Sequence, residues 1–376
     1  MVKLNLFQGE KAATDTITVS IQDLLNYAKE YFEIIDEIAF TTIFAVAIAH
    51  HLPGEMLWVR IYGGSRSGKT ELLRPIAKHP ESAEMEIITP AAIRGGLTTG
   101  KKLLDRIKGK LVITKDLAAI LTSKPEARKE LFGLLRNLKD GSITADYGTE
   151  TGYLPQEGRF DWLVGTTPTF AQYRQMEDLL GARFIDLNWK SGNREEMALR
   201  ALENNPRLVE IRQEFGDKVR DFIDAHKHNV RVNRLELSTD LKHTISGWAD
   251  LTALLRSPVA RDMHHRIKYH PEPEVGTDLA QGFGRITTAL KYLDIEDVRP
   301  YIARLSHDSV PHSRRQAVIS LLSGGLEEAT IRGRAYYYEV EDMAELDIVC
   351  KNGSKWQIVP ALYARIADLA SWWDKC

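Results

Sequence analysis

Gly63-Gly64-Ser65-Arg66-Ser67-Gly68-Lys69-Thr70 fits the spacing G-x-x-x-x-G-K-[ST]. Its flanks give the match meaning. The run Met56-Leu57-Trp58-Val59-Arg60-Ile61-Tyr62 before it is apolar, β-branched and aromatic, and predicts a buried strand. The stretch Glu71-Leu72-Leu73-Arg74-Pro75-Ile76-Ala77-Lys78 after it predicts a short helix. A strand, a glycine loop and a helix N-terminus together aim successive backbone N–H groups at phosphate oxygens, where the helix dipole favours negative charge. In this pattern Gly63 to Thr70 cradle the phosphates. Lys69 reaches the β/γ-phosphates and Thr70 offers its hydroxyl to Mg²⁺.

Working outward, Met85-Glu86-Ile87-Ile88-Thr89 reads as a second strand, closed by Pro90. Leu111-Val112-Ile113-Thr114-Lys115-Asp116 is a third, ending in a carboxylate. A strand end there delivers Asp116 to the Mg²⁺ held by Thr70. A helix is expected over 125–139, capped by Ser123, and an insertion or β-hairpin over 142–163. Trp162 to Pro168 and Phe184 to Trp189 supply two more strands. In a parallel sheet Thr166 or Thr167 then sits beside the γ-phosphate, because ligands bind at the carboxyl ends of strands.

Ahead of the loop, Ser20 caps helical periodicity from Ile21 to His51, which divides into two helices. Residues 193–306 read as helical and highly charged. The remainder alternates helices with a hairpin around Asn352-Gly353, the pattern of a winged helix-turn-helix. The final helix, ending in Trp372-Trp373, is expected to dock on a neighbour. The expected division is therefore 1–54 for helices packed on the core, 55–192 for the α/β core, 193–306 for a helical lid and 307–376 for the winged helix.

Composition sets limits. The 376 residues are 43% apolar and 27% charged, with a net charge of -2, so any nucleic-acid contact must come from a local patch. Cys350 and Cys376 lack metal-site spacing and fit a reducing compartment; with no signal peptide visible, a cytoplasmic location is expected. The apolar stretch Ile38–Ala49 is too short to span a bilayer, so no membrane partner is expected. The pairs His226/His228 and His264/His265 have no Cys or carboxylate spacing to complete a metal site.

Taken in order, the glycine loop, Thr89-Pro90-Ala91, Val112 to Asp116, Leu138-Lys139-Asp140-Gly141, Gly165-Thr166-Thr167-Pro168 and Leu180-Gly181-Ala182-Arg183-Phe184 resemble the AAA+ ATPases of prophages and integrated mobile elements. That group is described as DNA helicases or primase-helicases, distantly similar to the minichromosome-maintenance helicases. The resemblance covers about residues 52–189 well and the helical lid weakly. Asp308-Ser309-Val310-Pro311-His312-Ser313-Arg314-Arg315 matches the group's lead-in to a C-terminal winged helix. It implies ATP and Mg²⁺ bound between subunits of a homo-oligomeric ring, often a hexamer. It also implies Thr167 (or Thr166) as a sensor of the γ-phosphate, and Arg183 as an arginine finger reaching the neighbouring subunit's nucleotide.

The chain departs from that pattern. Leu117 follows Asp116 where many such proteins place a water-orienting Glu, leaving the base unassigned, with Glu126 and Glu130 as candidates. Hydrolysis is expected to be slow. The lid's sensor arginine is expected near Thr277-Asp278-Leu279, but Asp278 stands there; Arg285, Arg256 and Arg261 are the alternatives. For DNA, the cations are Lys101, Lys102, Arg106, Lys108 and Lys110, then Lys351 and Lys355 in the wing. The insertion carries Asp146, Glu150 and Glu157 against Arg159. The recognition-helix position begins with Arg332 and Arg334 but continues with Glu339, Glu341, Asp342 and Glu345, which phosphates would repel. Two readings follow. One is a DNA helicase-like ATP motor. The other is a non-translocating ATP-dependent oligomeric switch that recruits a protein through its C-terminal region. A monomeric P-loop kinase fits the long lid and C-terminal tail less well.

Overall fold

The computed structural model describes residues 19–86, 88–93, 103–117, 124–140, 143–145, 154–156, 158–167, 183–268, 272–331 and 336–373. Two helices precede the sheet. α1 (Ile21–Tyr31) starts at Ser20, whose hydroxyl accepts the Asp23 N–H at 3.1 Å while the Asp23 carboxylate accepts the Ser20 N–H at 2.8 Å. This reciprocal cap satisfies two otherwise orphaned donors. α2 (Glu37–Ala49) is capped by Asp36 and buried at every position from Ala39 to Ala49. A helix apolar all round belongs in the middle of a core, and α2 packs on the later helices and shares one buried apolar cluster with the sheet.

The core alternates β1 (Trp58–Tyr62), α3 (Lys69–Ala77), β2 (Ser82–Glu84), α4 (Pro90–Ile93), α5 (Leu103–Ile107), β3 (Leu111–Thr114) and α6 (Pro125–Lys139). A two-stranded hairpin, β4 (Ile143–Ala145) with β5 (Leu154–Gln156), comes next, then β6 (Asp161–Thr166) and β7 (Ile185–Asn188). Five strands form one parallel sheet in the order β2-β3-β6-β1-β7. Side chains alternate across it as the pleat requires. Val59, Ile61, Leu111, Ile113, Leu163 and Leu187 face α2, α3 and the later helices. Trp58, Val112, Trp162 and Val164 face α4, α5 and α6. Both faces are covered, as parallel sheets demand.

The second strand differs from expectation. The ladder uses Ser82–Glu84, not 85–89. β2 is an edge strand pairing only with β3, so its side chains need not be apolar. Met85 and Ile88 instead enter the core on the α6 side. Ser123, read as the cap of α6, lies outside the described residues; the helix begins with Pro125, which has no N–H to satisfy.

The helical region comprises α7 (Arg194–Asn204), α8 (Leu208–Val232), α9 (Thr239–Arg256), α10 (Thr277–Tyr292) and α11 (Arg299–Ser309). After Val310-Pro311 come α12 (His312–Leu322), β8 (Leu326–Glu327), α13 (Glu328–Ile331), α14 (Tyr337–Glu345), β9 (Val349–Asn352), β10 (Lys355–Ile358) and α15 (Pro360–Trp373). β8, β10 and β9 form a small antiparallel sheet. α15 returns onto the earlier helices. The Trp248 indole donates to Asp368 at 3.1 Å, and Trp372 lies 5.9 Å from the Trp248 ring. Among the described residues no helix is long and apolar enough to cross a membrane.

Candidate functional site

The glycine loop leaves β1 at Tyr62 and enters α3 at Lys69, so it lies at the carboxyl end of the central sheet. Arg66 (φ 61°) and Gly68 (φ 89°) both take left-handed backbone, and such turns point successive N–H groups inward. At φ 89° an L side chain would be strained, which explains Gly68. The first amides of α3 have no intrahelical acceptor and face the same space. Lys69 is buried and folds over the loop, donating to Gly63 O at 2.6 Å, Gly64 O at 2.8 Å and Ser67 Oγ at 3.2 Å. Burial pushes its ammonium pKa down, and the nearby Asp116 carboxylate partly opposes that.

An open cleft of about 440 Å³ brings these parts together. Ser65 to Glu71 form one wall. Lys115, Asp116, Thr166 and Thr167 form the other. Strand order explains the meeting. β6 lies between β1 and β3, so the carboxyl end of β6 carries Thr166 into the gap between the loop and Asp116. The close approach needs Gly165, where a Cβ would fall 2.4 Å from the Lys115 carbonyl oxygen. Thr166 is 1% exposed, yet its hydroxyl has no hydrogen-bond partner among the described residues. A buried unpaired hydroxyl costs about 1–3 kcal/mol, and this one lines the cleft. That is the fit expected for a polar ligand here. Mg²⁺ would be held by Thr70 and Asp116 and completed by phosphate and water oxygens, a donor set of the right kind for that ion.

Glu71, beside Thr70, is taken by Arg212 of α8 in a two-pronged pair at 2.7 and 2.8 Å. Neither Glu126 nor Glu130 lines the cleft. Among the described residues, Asp116 and Glu71 are the carboxylates on its walls.

Arg183 sits just before β7 and therefore at the amino end of the sheet, away from its own chain's cleft. It bridges Asp140 at the end of α6 (3.0 Å) and Asp278 at the start of α10 (3.2 Å). The structure places the three candidates for a lid sensor away from the cleft. Arg285 is buried at the opposite end, paired with Asp161 at 2.8 Å and donating to Ala49 O and Glu55 O. Asp161 is held below the ordinary carboxylate range by His50 and Arg285, against the cost of its burial. Arg256 binds Glu274 and Phe184 O, and Arg261 binds Asp342. None of the three lines the cleft.

Sequence reasoning overlooked Trp189. It follows β7, is 4% exposed, and its indole donates to Ser67 O at 2.7 Å. An aromatic just past a strand carries no sequence signal for such a role.

The basic cluster is divided. Lys101 and Lys102 lie outside the described residues, and so do Arg332 and Arg334. Lys108 and Lys110 line a second cleft of about 510 Å³, with Arg159 and Arg231, at the amino ends of the strands. Two acidic residues of α14 turn inward. Glu339 accepts from Arg314 at 2.9 Å and Ser313, and Asp342 accepts from Arg261 at 2.6 Å. Lys351 pairs with Glu328. Comparison with known proteins adds nothing to this geometry: no family model matches the chain, and neither does any curated protein.

Proposed function

We propose that the chain is a P-loop ATPase of the AAA+ type that binds ATP with Mg²⁺, hydrolyses it, and works as a homo-oligomer on DNA. The observation carrying this reading is the single cleft that gathers Lys69, Thr70, Asp116, Thr166 and Thr167 at the carboxyl end of the parallel sheet, with the Thr166 hydroxyl unpartnered. The loop amides and the α3 N-terminus hold the phosphates. Lys69 exchanges loop oxygens for phosphate oxygens. Bound Mg²⁺ supplies neutralisation of the charge that develops on the phosphates. Asp116 with Thr70 would hold the Mg²⁺, and Thr166 or Thr167 would orient the attacking water. Arg183 faces away from its own cleft, which suits a group acting on a neighbour's nucleotide. On DNA, the cleft with Lys108, Lys110, Arg159 and Arg231 offers cations for the phosphodiester backbone.

A second reading, an ATP-dependent oligomeric switch that recruits a protein, is favoured by one feature. The helix at the DNA-recognition position, α14, carries Glu339, Glu341, Asp342 and Glu345, a charge that repels phosphate and suits a protein partner better. ATP turnover with and without single-stranded and duplex DNA, alongside sizing with ATP, separates the two. DNA-stimulated turnover and unwinding support the motor; ATP-driven assembly indifferent to DNA supports the switch. Lys69→Ala is expected to abolish ATP binding, and retained affinity would overturn both.

A further inference from the structure

We propose that Trp189 is a positioning residue for the phosphate loop, and that it couples the loop's shape to the seating of α11. The inference rests on the nucleotide reading above. The carbonyl and N–H of a trans peptide point in opposite directions. When the Trp189 indole draws the Ser67 carbonyl to itself at 2.7 Å, the Gly68 N–H of the same peptide turns away from Trp189. Gly68 has positive φ, and glycine crosses to negative φ at little cost. Without the indole nothing among the described hydrogen bonds holds that peptide's carbonyl. Trp189 also packs under the loop's start, where a Cβ on Gly63 would lie 3.2 Å from its own Cβ.

Trp189 is itself held at one peptide. Its N–H donates to Tyr62 O at 2.6 Å, and the carbonyl of the same peptide, Asn188 O, accepts from Arg304 at 2.5 Å. Asp308 then takes the Asn188 N–H at 2.7 Å and the Asn188 side-chain amide at 2.8 Å. Arg304 and Asp308 pair with each other on α11 at 2.6 Å, and Arg304 reaches Asp36 at the cap of α2 at 2.8 Å. A displacement of α11 therefore acts on the peptide that carries Trp189, and Trp189 acts on the Ser67–Gly68 peptide. By linkage the reverse also holds: a nucleotide that fixes the loop stabilises the seated α11.

Trp189→Phe keeps an aromatic ring at the site and removes the indole N–H together with the five-membered part of the ring. Binding of N-methylanthraniloyl-ATP is expected to weaken about fivefold, from the loss of one neutral hydrogen bond. Amide exchange over 63–70 in the nucleotide-free protein should quicken while the thermal midpoint stays close to wild type. Asp308→Asn, which touches no loop atom, should quicken exchange over the same residues and serves if the first variant does not fold. Wild-type exchange and affinity in the variants would overturn the positioning role alone. A wild-type protein that fails to bind the nucleotide would overturn the nucleotide reading and this inference with it.

Discussion

Arg183 bridges Asp278 and Asp140 at the amino end of β7, while the glycine loop opens at the carboxyl end of the adjacent β1. One chain therefore cannot bring its own Arg183 to its own Lys69. On the ATPase reading, Arg183→Ala should bind ATP as wild type and lose turnover by roughly 10³-fold or more. Mixing it with Lys69→Ala should restore activity at about one site in four of a 1:1 assembly, because each intact site draws on two chains. Turnover measured across mixing ratios checks this, and a mixture as inactive as its parts would place Arg183 in a purely structural bridge.

The hydroxyl of Thr166 makes a contrasting case, since nothing among the described residues satisfies it. Thr166→Val preserves the branched shape. Unfolding stability should be unchanged or rise by about 1 kcal/mol, because a buried orphan hydroxyl is removed. Turnover should fall by about 10²-fold if that hydroxyl orients water. Denaturant melts and ATPase rates on the same preparation test both halves. Equal turnover would pass the role to Thr167.

The loop and Asp116 were legible in the sequence because each is a local pattern at a strand end, and the alternation of Val59 and Ile61 with Trp58 showed in the same few residues. The second strand was misplaced because an edge strand pairs through its backbone and leaves no apolar signature in Ser82-Ala83-Glu84. Arg285 resembled a sensor on helical spacing alone. Its partner Asp161 lies more than a hundred residues away in sequence, so only the tertiary fold shows the pair. Trp189 was invisible for the same reason.

Arg304 is 1% exposed and holds two carboxylates, Asp36 and Asp308. Burial opposes the charge of Asp308, and His307 with the arginine keeps that carboxyl below the ordinary carboxylate range. Arg304→Met would leave two buried carboxylates without their cation. The expected loss is about 3–5 kcal/mol, read as a fall in the urea midpoint. A change under about 1 kcal/mol would mean that water enters to solvate the acids.

Acid stability should carry a signature of His51. Burial and the neighbouring His50 push its pKa from 6.5 down to about 4, with Glu81 opposing. Between those values the unfolded chain binds the proton and the folded chain does not, so stability falls as pH drops from about 6.5 to about 4 and levels off below. At about 1.4 kcal/mol per pH unit over that window, the contribution is about 3–4 kcal/mol. His51→Gln, which cannot be protonated in this range, should flatten that portion of the stability profile. An unaltered profile would assign the acid loss to other groups.

From Ala39 to Ala49, helix α2 has no solvent side. Its burial joins the sheet to α10, α11 and α8 in one continuous apolar mass that runs from Leu24 to Trp373. Such a helix works as a keel. Swinging the later helices away from the sheet would strip it to water along its whole length, so large hinge strokes within one chain are costly. If the cleft hydrolyses ATP as proposed, its mechanical output has two inexpensive exits: the loops that rim the sheet, and a boundary with another copy.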